Sequence, residues 1–207
     1  MTLRLAAAVA LALGVVTLLI YLHLLGKGPW VDARGRHMRA MKDRSRAPGS
    51  VAACSVAAFA SFPRRAPMAV RSALESRGVM VEGYVQRILR APDNDVHLDF
   101  APESRGPDGP PLPYIVAEVT PRWRAGSATW QYERFVEALR PTLGGVTAWD
   151  QGPRRARLIG WLMYDYPHEH HLPRPDRPVA QAAWEVHPVT RIELWDDSLR
   201  RFVEYPR

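Results

Sequence analysis

One cysteine, Cys54, is all that this chain of 207 residues carries. An intrachain disulfide is therefore excluded, as are a CxxC redox centre and a zinc site built on several thiolates. P-loop, GxGxxG, GxSxG and HExxH patterns are also missing. The phosphate-cradling, dinucleotide-binding, serine-hydrolase and zincin chemistries that depend on those spacings thus have no support. No internal repeat is visible, and the length allows one globular domain with an anchor and a linker.

The first feature present is apolar. Leu5 to Leu22 is an uncharged run of 18 residues rich in Leu, Ala and Val, extended beyond His23 by Leu24 and Leu25. A helix of some 20 residues, rising about 1.5 Å per residue, crosses a hydrocarbon core roughly 30 Å thick. Cleavable signal peptides have a shorter apolar region and an A-x-A-like site, whereas Gly26-Lys27-Gly28-Pro29-Trp30 follows here. Residues 1–26 thus read as the transmembrane anchor of a single-pass membrane protein, with a cleaved signal peptide or a buried helix as the alternatives. Arg4 precedes the run, while Lys27, Arg34, Arg36, Arg39, Lys42, Arg44 and Arg46 follow it. The positive-inside rule then places the C-terminal part in the cytoplasm, the periplasmic or extracellular side being the alternative.

Charge is divided unevenly. Residues 1–77 hold 12 Lys and Arg against 3 Asp and Glu, a surplus of 9; residues 78–207 hold 16 against 18, a deficit of 2; the whole chain is at +7. A domain without surplus cations has little with which to neutralise phosphates, so nucleic acid is a disfavoured partner. Residues 27–77 read as a basic flexible linker with short helical stretches, poor in large aliphatic side chains and suited to anionic lipid headgroups at roughly 1 kcal/mol per cation. Within it Met68–Arg77 has helical spacing, with Gly78 placed to end the helix.

Period-two patterning begins at Gly78 and predicts a mainly β domain over 78–207. Val79, Val81 and Val85 share one face of a first strand, with Gly83 at a bend; Val96, Leu98 and Phe100 define a second, and Ile115, Ala117 and Val119 a third. Trp130, Phe135, Val136 and Leu139 make a helical stripe capped by Ser127 or Thr129 and stopped by Pro141. Arg157–Tyr164 is apolar on both faces, as a central strand is. Last, Trp184, Val186, Thr190, Ile192 and Leu194 alternate with Glu185, His187, Arg191 and Glu193. Three strands, one helix and two strands is the order of the OB fold, a five-stranded barrel with its helix between strands three and four.

Val81-Glu82-Gly83-Tyr84, Glu118-Val119-Thr120-Pro121-Arg122, Gly160-Trp161-Leu162-Met163 and Trp184-Glu185-Val186-His187-Pro188-Val189-Thr190 resemble an uncharacterised bacterial family of secreted or membrane-anchored proteins. The resemblance implies an OB-like domain, no known activity and an exported location, against the charge count. Family members carry cysteines before the second strand, where this chain has Ala91-Pro92-Asp93-Asn94-Asp95, so a cysteine-dependent role is absent here.

If Leu98 and Ala117 face inward, His97, Asp99 and Glu118 face outward on the surface where OB barrels take ligands. The flanking loops are Ala91–Asp95 and Asp165–Ala183, the second holding His168, Glu169, His170 and His171. The candidate ligand-binding residues are His97, Asp99, Glu118, Arg122 and His187, and the candidate metal ligands His97, Glu118, His168, His170 and His171. No cofactor is certain; a divalent metal is the candidate, since imidazole and carboxylate suit one. Charged side chains on an outer strand face are also the ordinary solvated surface of a barrel. Trp161 and Trp184 are expected in or against the core. The first functional expectation is a membrane-anchored, non-catalytic binding or scaffold module for a protein or small-molecule partner. A metal-dependent hydrolase of phosphodiester or related bonds and a single-stranded nucleic-acid binder are the alternatives.

Overall fold

Alternating side chains become a closed sheet in the computed structural model, which describes residues 3–24, 32–104, 112–143, 152–169 and 183–207. The strands are β1 (Val51–Cys54), β2 (Gly78–Arg90), β3 (Val96–Ala101), β4 (Ile115–Val119), β5 (Arg155–Tyr164), β6 (Trp184–Asp196) and β7 (Arg201–Glu204). The helices are α1 (Leu3–Leu24), α2 (Ala33–Lys42), α3 (Met68–Glu75), α4 (Pro121–Arg124) and α5 (Tyr132–Leu139). Neighbours run β1-β2-β3-β4-β6-β5, and β5 pairs back onto β2. The five strands β2 to β6 therefore form a barrel, with α4 and α5 between its third and fourth strands. The β4–β6 pair is parallel at Ala117↔Val186, the others in the barrel antiparallel. This is the OB arrangement expected from the order of elements.

Inside lie Val81, Val85, Leu98, Phe100, Ile115, Ala117, Leu158, Leu162 and Val186, together with Trp130, Phe135 and Leu139 from α5 and its approach. Gly83 is required where β2 crosses β3, because a Cβ there would sit 2.1 Å from the Ala101 carbonyl oxygen. Gly160 has the same function on β5: its Cβ would lie 2.3 Å from the Pro188 oxygen. Around that point the β5–β6 register shifts, and Val189 joins the core where alternation placed Thr190. Proline has no N–H to give to the ladder, so the strand cannot keep a regular pattern through Pro188.

Several local expectations are corrected. Helix α5 begins at Tyr132 with no side-chain cap; Ser127 Oγ instead accepts from Trp130 N–H at 2.9 Å, one turn earlier, and the Thr129 hydroxyl donates to the Pro206 carbonyl. Helix α3 ends at Ser76, and Gly78 opens β2. Trp184 is fully buried, whereas Trp161 is partly exposed and donates its indole N–H to Arg46 O at 2.8 Å.

The chain divides into two compact units, Met1–Ala40 and Met41–Arg207. The second begins well before the expected boundary at 78. β1 pairs with β2 in parallel from Val51↔Gly78 to Cys54↔Val81, and Val56 and Phe59, on a 3-10 helix over Val56–Ser61, enter the core. Low aliphatic content concealed this, because the segment is held by a four-residue ladder, by Val56 and Phe59, and by partly buried Cys54, Phe62 and Leu74. Residues 41–77 are therefore folded structure and not free tether. In the first unit, α1 is helical over Leu3–Leu24 as the uncharged run predicts. Among the described residues no helix is long and apolar enough to cross a membrane.

Candidate functional site on the outer barrel face

Register alone brings the polar residues together. In β3–β4 the pairs Leu98↔Ala117 and His97↔Glu118 alternate, so the inward pair sets the outward one beside it. The parallel contact Ala117↔Val186 does likewise for the next residues, Glu118 and His187. Arg87↔Asp99 extends the row onto β2. His97 then binds both carboxylates, with Nδ1 3.0 Å from Glu118 Oε1 and Nε2 2.9 Å from Asp99 Oδ1. Arg87 Nε donates to Asp99 Oδ2 at 2.6 Å.

His187 is fully buried and surrounded by acid. Its Nδ1 is 2.9 Å from Glu118 Oε2 and 3.5 Å from Glu185 Oε2, and its Nε2 is 3.4 Å from Asp95 Oδ2. Asp95 comes from the turn between β2 and β3. Lys42, at the end of α2, donates to Asp93 Oδ2 at 2.9 Å, and its Nζ lies 3.6 Å from both Asp95 Oδ2 and Glu118 Oε2. Beyond Glu185, the Nδ1 of His168 meets Asp165 after β5.

Charges follow from this packing. Burial opposes protonation of His97, but the bonds to Asp99 and Glu118 outweigh it and lift its pKa to about 10. Both ring nitrogens face carboxylates, so both must be donors and the ring is an imidazolium. For His187 burial is again overcome, by Glu118, Asp95 and Glu185, and its pKa stands well above the ordinary value. Burial pushes Glu185 up to about 7, helped by the charge of Asp165, and raises Asp95 as well. Glu118 goes the other way: burial is outweighed by His187, His97 and Lys42, which hold it well below the carboxylate range. Shifts of this size in a charged cluster mark candidate functional sites.

These shifts predict a pH dependence. His97 binds its proton more tightly when folded, so its contribution is fully present below an unfolded pKa of about 6.5 and is lost as pH rises through about 10. Glu185 has the same sign, its contribution being lost from about 4.5 through about 7. Thermal midpoints of the full chain should therefore fall steadily between about pH 6.5 and about pH 10, and His97→Gln should flatten that slope. A midpoint that rises over this window would contradict the assignment.

Of the residues expected from sequence, His97, Asp99, Glu118 and His187 converge. Arg122 does not: it is exposed on α4 and outside the cluster. His168 sits beside Asp165 and Glu185, and His170 and His171 lie outside the described residues. The outer face is also less open than expected. Asp99, Glu118 and His187 are buried, and residues 42–46 lie across the barrel through Lys42, the Trp123 indole bond to Arg44 O at 2.9 Å and the Trp161 bond to Arg46 O. Reasoning from sequence missed Asp95, Glu185 and Lys42 as cluster members. Outward parity with His187 marks Glu185 and the turn before β3 marks Asp95, but no signal marks Lys42, which reaches Asp93 from 51 residues away.

Among the described residues, two groups offer one ligand atom per residue within 4.8 Å of one another: Asp95, Glu118 and His187, and Asp165, His168 and Glu185. The pairing pattern and this polar face define the class, an OB-type β-barrel with a buried histidine–carboxylate cluster. No protein-family model matches the chain, and no curated protein matches it. Among solved structures the chain is similar to an aspartyl tRNA synthetase from Entamoeba histolytica, at 17% identity over 71% of this chain and 23% of that chain, with a TM-score of 0.33. The fold assignment stands on the strand pairing itself.

Proposed function

We propose that this protein is a membrane-tethered, non-catalytic binding module whose docking surface is the outer face of β3, β4 and β6. The observation that carries the reading is the row His97, Asp99, Glu118 and His187 on the face where OB barrels take ligands, of which half-buried His97, with exposed Leu89 beside it, stays open next to the covering residues 42–46. The cations of the cluster, Lys42, Arg87, His97 and His187, are paired with the carboxylates of Asp93, Asp95, Asp99 and Glu118 and are not free to neutralise phosphate, which argues against nucleic acid as the ligand. Tethering is supported by α1, which exposes Leu11, Leu13, Val15, Val16, Leu18, Ile20 and Tyr21. A helix apolar on all sides calls for a lipid or protein environment. By the cation count the barrel faces the cytoplasm. The resemblance to exported proteins favours the other side, and an alkaline phosphatase or fluorescent reporter fused after Arg207 decides between them. A second reading, metal-dependent hydrolysis, draws on Asp95, Glu118 and His187 lying within reach of one ion.

Leu89 is exposed and pairs with His97 across β2–β3, which places it at the edge of this face, whereas exposed Val203 on β7 does not lie on it. A photo-crosslinking residue at Leu89 should capture a partner in cell membranes, and the same residue at Val203 should not. The full chain should also resist alkaline extraction. Equal capture at both positions, or release of the full chain by alkali, would overturn the reading.

A further inference from the structure

We propose that Asp95, Glu118 and His187 form a site for one first-row divalent cation, Zn²⁺ or Mn²⁺, and that the ion displaces the Lys42 ammonium from Asp95 and Glu118. The inference rests on the outer-face reading and gives that face a ligand.

Three elements supply the ligands: the β2–β3 turn, β4 and β6. Each contributes one atom within 4.8 Å of the others. Metal bonds of about 2.1 Å put neighbouring ligand atoms roughly 3.5 Å apart, so a modest contraction closes the site. An imidazole with two carboxylates suits Zn²⁺ or Mn²⁺, and three protein ligands leave a position for water or a ligand group.

The second observation is independent of proximity. Among the described residues, Glu118 Oε2 and both ring nitrogens of His187 are buried with carboxylate–imidazole approaches of 2.9 to 3.5 Å that lack the alignment of a good hydrogen bond. Buried polar atoms are normally bonded, and three exceptions on two touching side chains need an explanation. A cation supplies one, because it takes up lone pairs without requiring donor alignment. Lys42 fills that need only in part. Its aligned bond goes to Asp93 at 2.9 Å, while 3.6 Å separates it from Asp95 Oδ2 and Glu118 Oε2, beyond the range of a charge-assisted hydrogen bond. Binding requires His187 to give up its ring proton to solvent; Asp95 and Glu118 with the neutral imidazole then carry two negative charges, which a divalent ion balances. Lys42 is partly exposed on a flexible stem, so it can keep Asp93 while releasing the other two.

The test uses the full chain in detergent micelles, stripped of metal by a chelator and titrated with Zn²⁺ or Mn²⁺ by calorimetry. One ion should bind per chain. Asp95→Asn and His187→Gln should each weaken it about 10-fold or more, and Lys42→Met should tighten it by a similar factor. In the unaltered chain, substoichiometric Mn²⁺ should broaden the His187 ring resonances, a readout that needs no variant to fold. No binding at about 1 mM metal overturns the site, as does binding that is unchanged in Asp95→Asn and His187→Gln. Unchanged affinity in Lys42→Met overturns the displacement. If no ion binds but Leu89 still crosslinks a partner, only this inference falls. If the ion binds and Leu89 captures nothing, the docking reading falls and the metal site stands.

Discussion

Phe135→Asp is expected to leave the compact unit unfolded at room temperature. Phe135 is fully buried on α5, with its ring 5.8 Å from that of Trp130 and 6.2 Å from that of Tyr205. Removing a buried Phe costs about 3–5 kcal/mol, and an uncompensated carboxylate among aromatic rings adds several more. The sum is comparable to the roughly 5–15 kcal/mol by which a domain is stable. Phe135→Leu retains most of the apolar volume and should cost far less, so the pair separates loss of charge tolerance from loss of shape. Circular dichroism melts of the two variants give the measurement; an unchanged midpoint for Phe135→Asp would show that α5 is not part of the barrel core.

Gly160→Ala should also be strongly damaging although it adds one carbon. The new Cβ meets the Pro188 backbone oxygen at 2.3 Å, Val186 Cγ1 at 2.9 Å and Val189 Cα at 3.0 Å. Two of these are backbone atoms and cannot rotate away, so β5 and β6 must separate. A cost of about 3 kcal/mol or more is expected, at the upper end for overpacking. The consequence reaches the cluster, because the displaced segment carries His187. Urea unfolding gives the stability term, and the slope of the thermal midpoint between about pH 6.5 and about pH 10 reports on the cluster. A small alanine penalty with that slope unchanged would mean that the strands tolerate separation there.

Much of the barrel is legible in the sequence for a definite reason. On β3 and β4 one face is core and the other polar, so Val96, Leu98 and Phe100 against His97 and Asp99 can be read from parity alone. Parity fails where the backbone leaves the regular pleat: at the β2 register shift between Val85 and Arg87, and at Pro188, where Val189 replaces Thr190 inside. The α5 cap was misplaced because Ser127 caps a turn that precedes the helix. Segment 41–77 escapes a reading by composition, which measures average burial, whereas its contribution comes from one short ladder and a few side chains.

The sequence by itself determined the element order of the barrel, the apolar N-terminal helix and the outward side of His97, Glu118 and His187, since each depends on spacing within one segment. Tertiary structure alone decided that Glu118 touches both histidines, that Asp95 and Glu185 join them, and that Lys42 closes over the group. Those contacts depend on register between strands far apart in the chain and on the path of residues 42–46 across the sheet. Sequence spacing carries information about one strand at a time; which strands become neighbours, and what then covers them, is set only when the barrel closes.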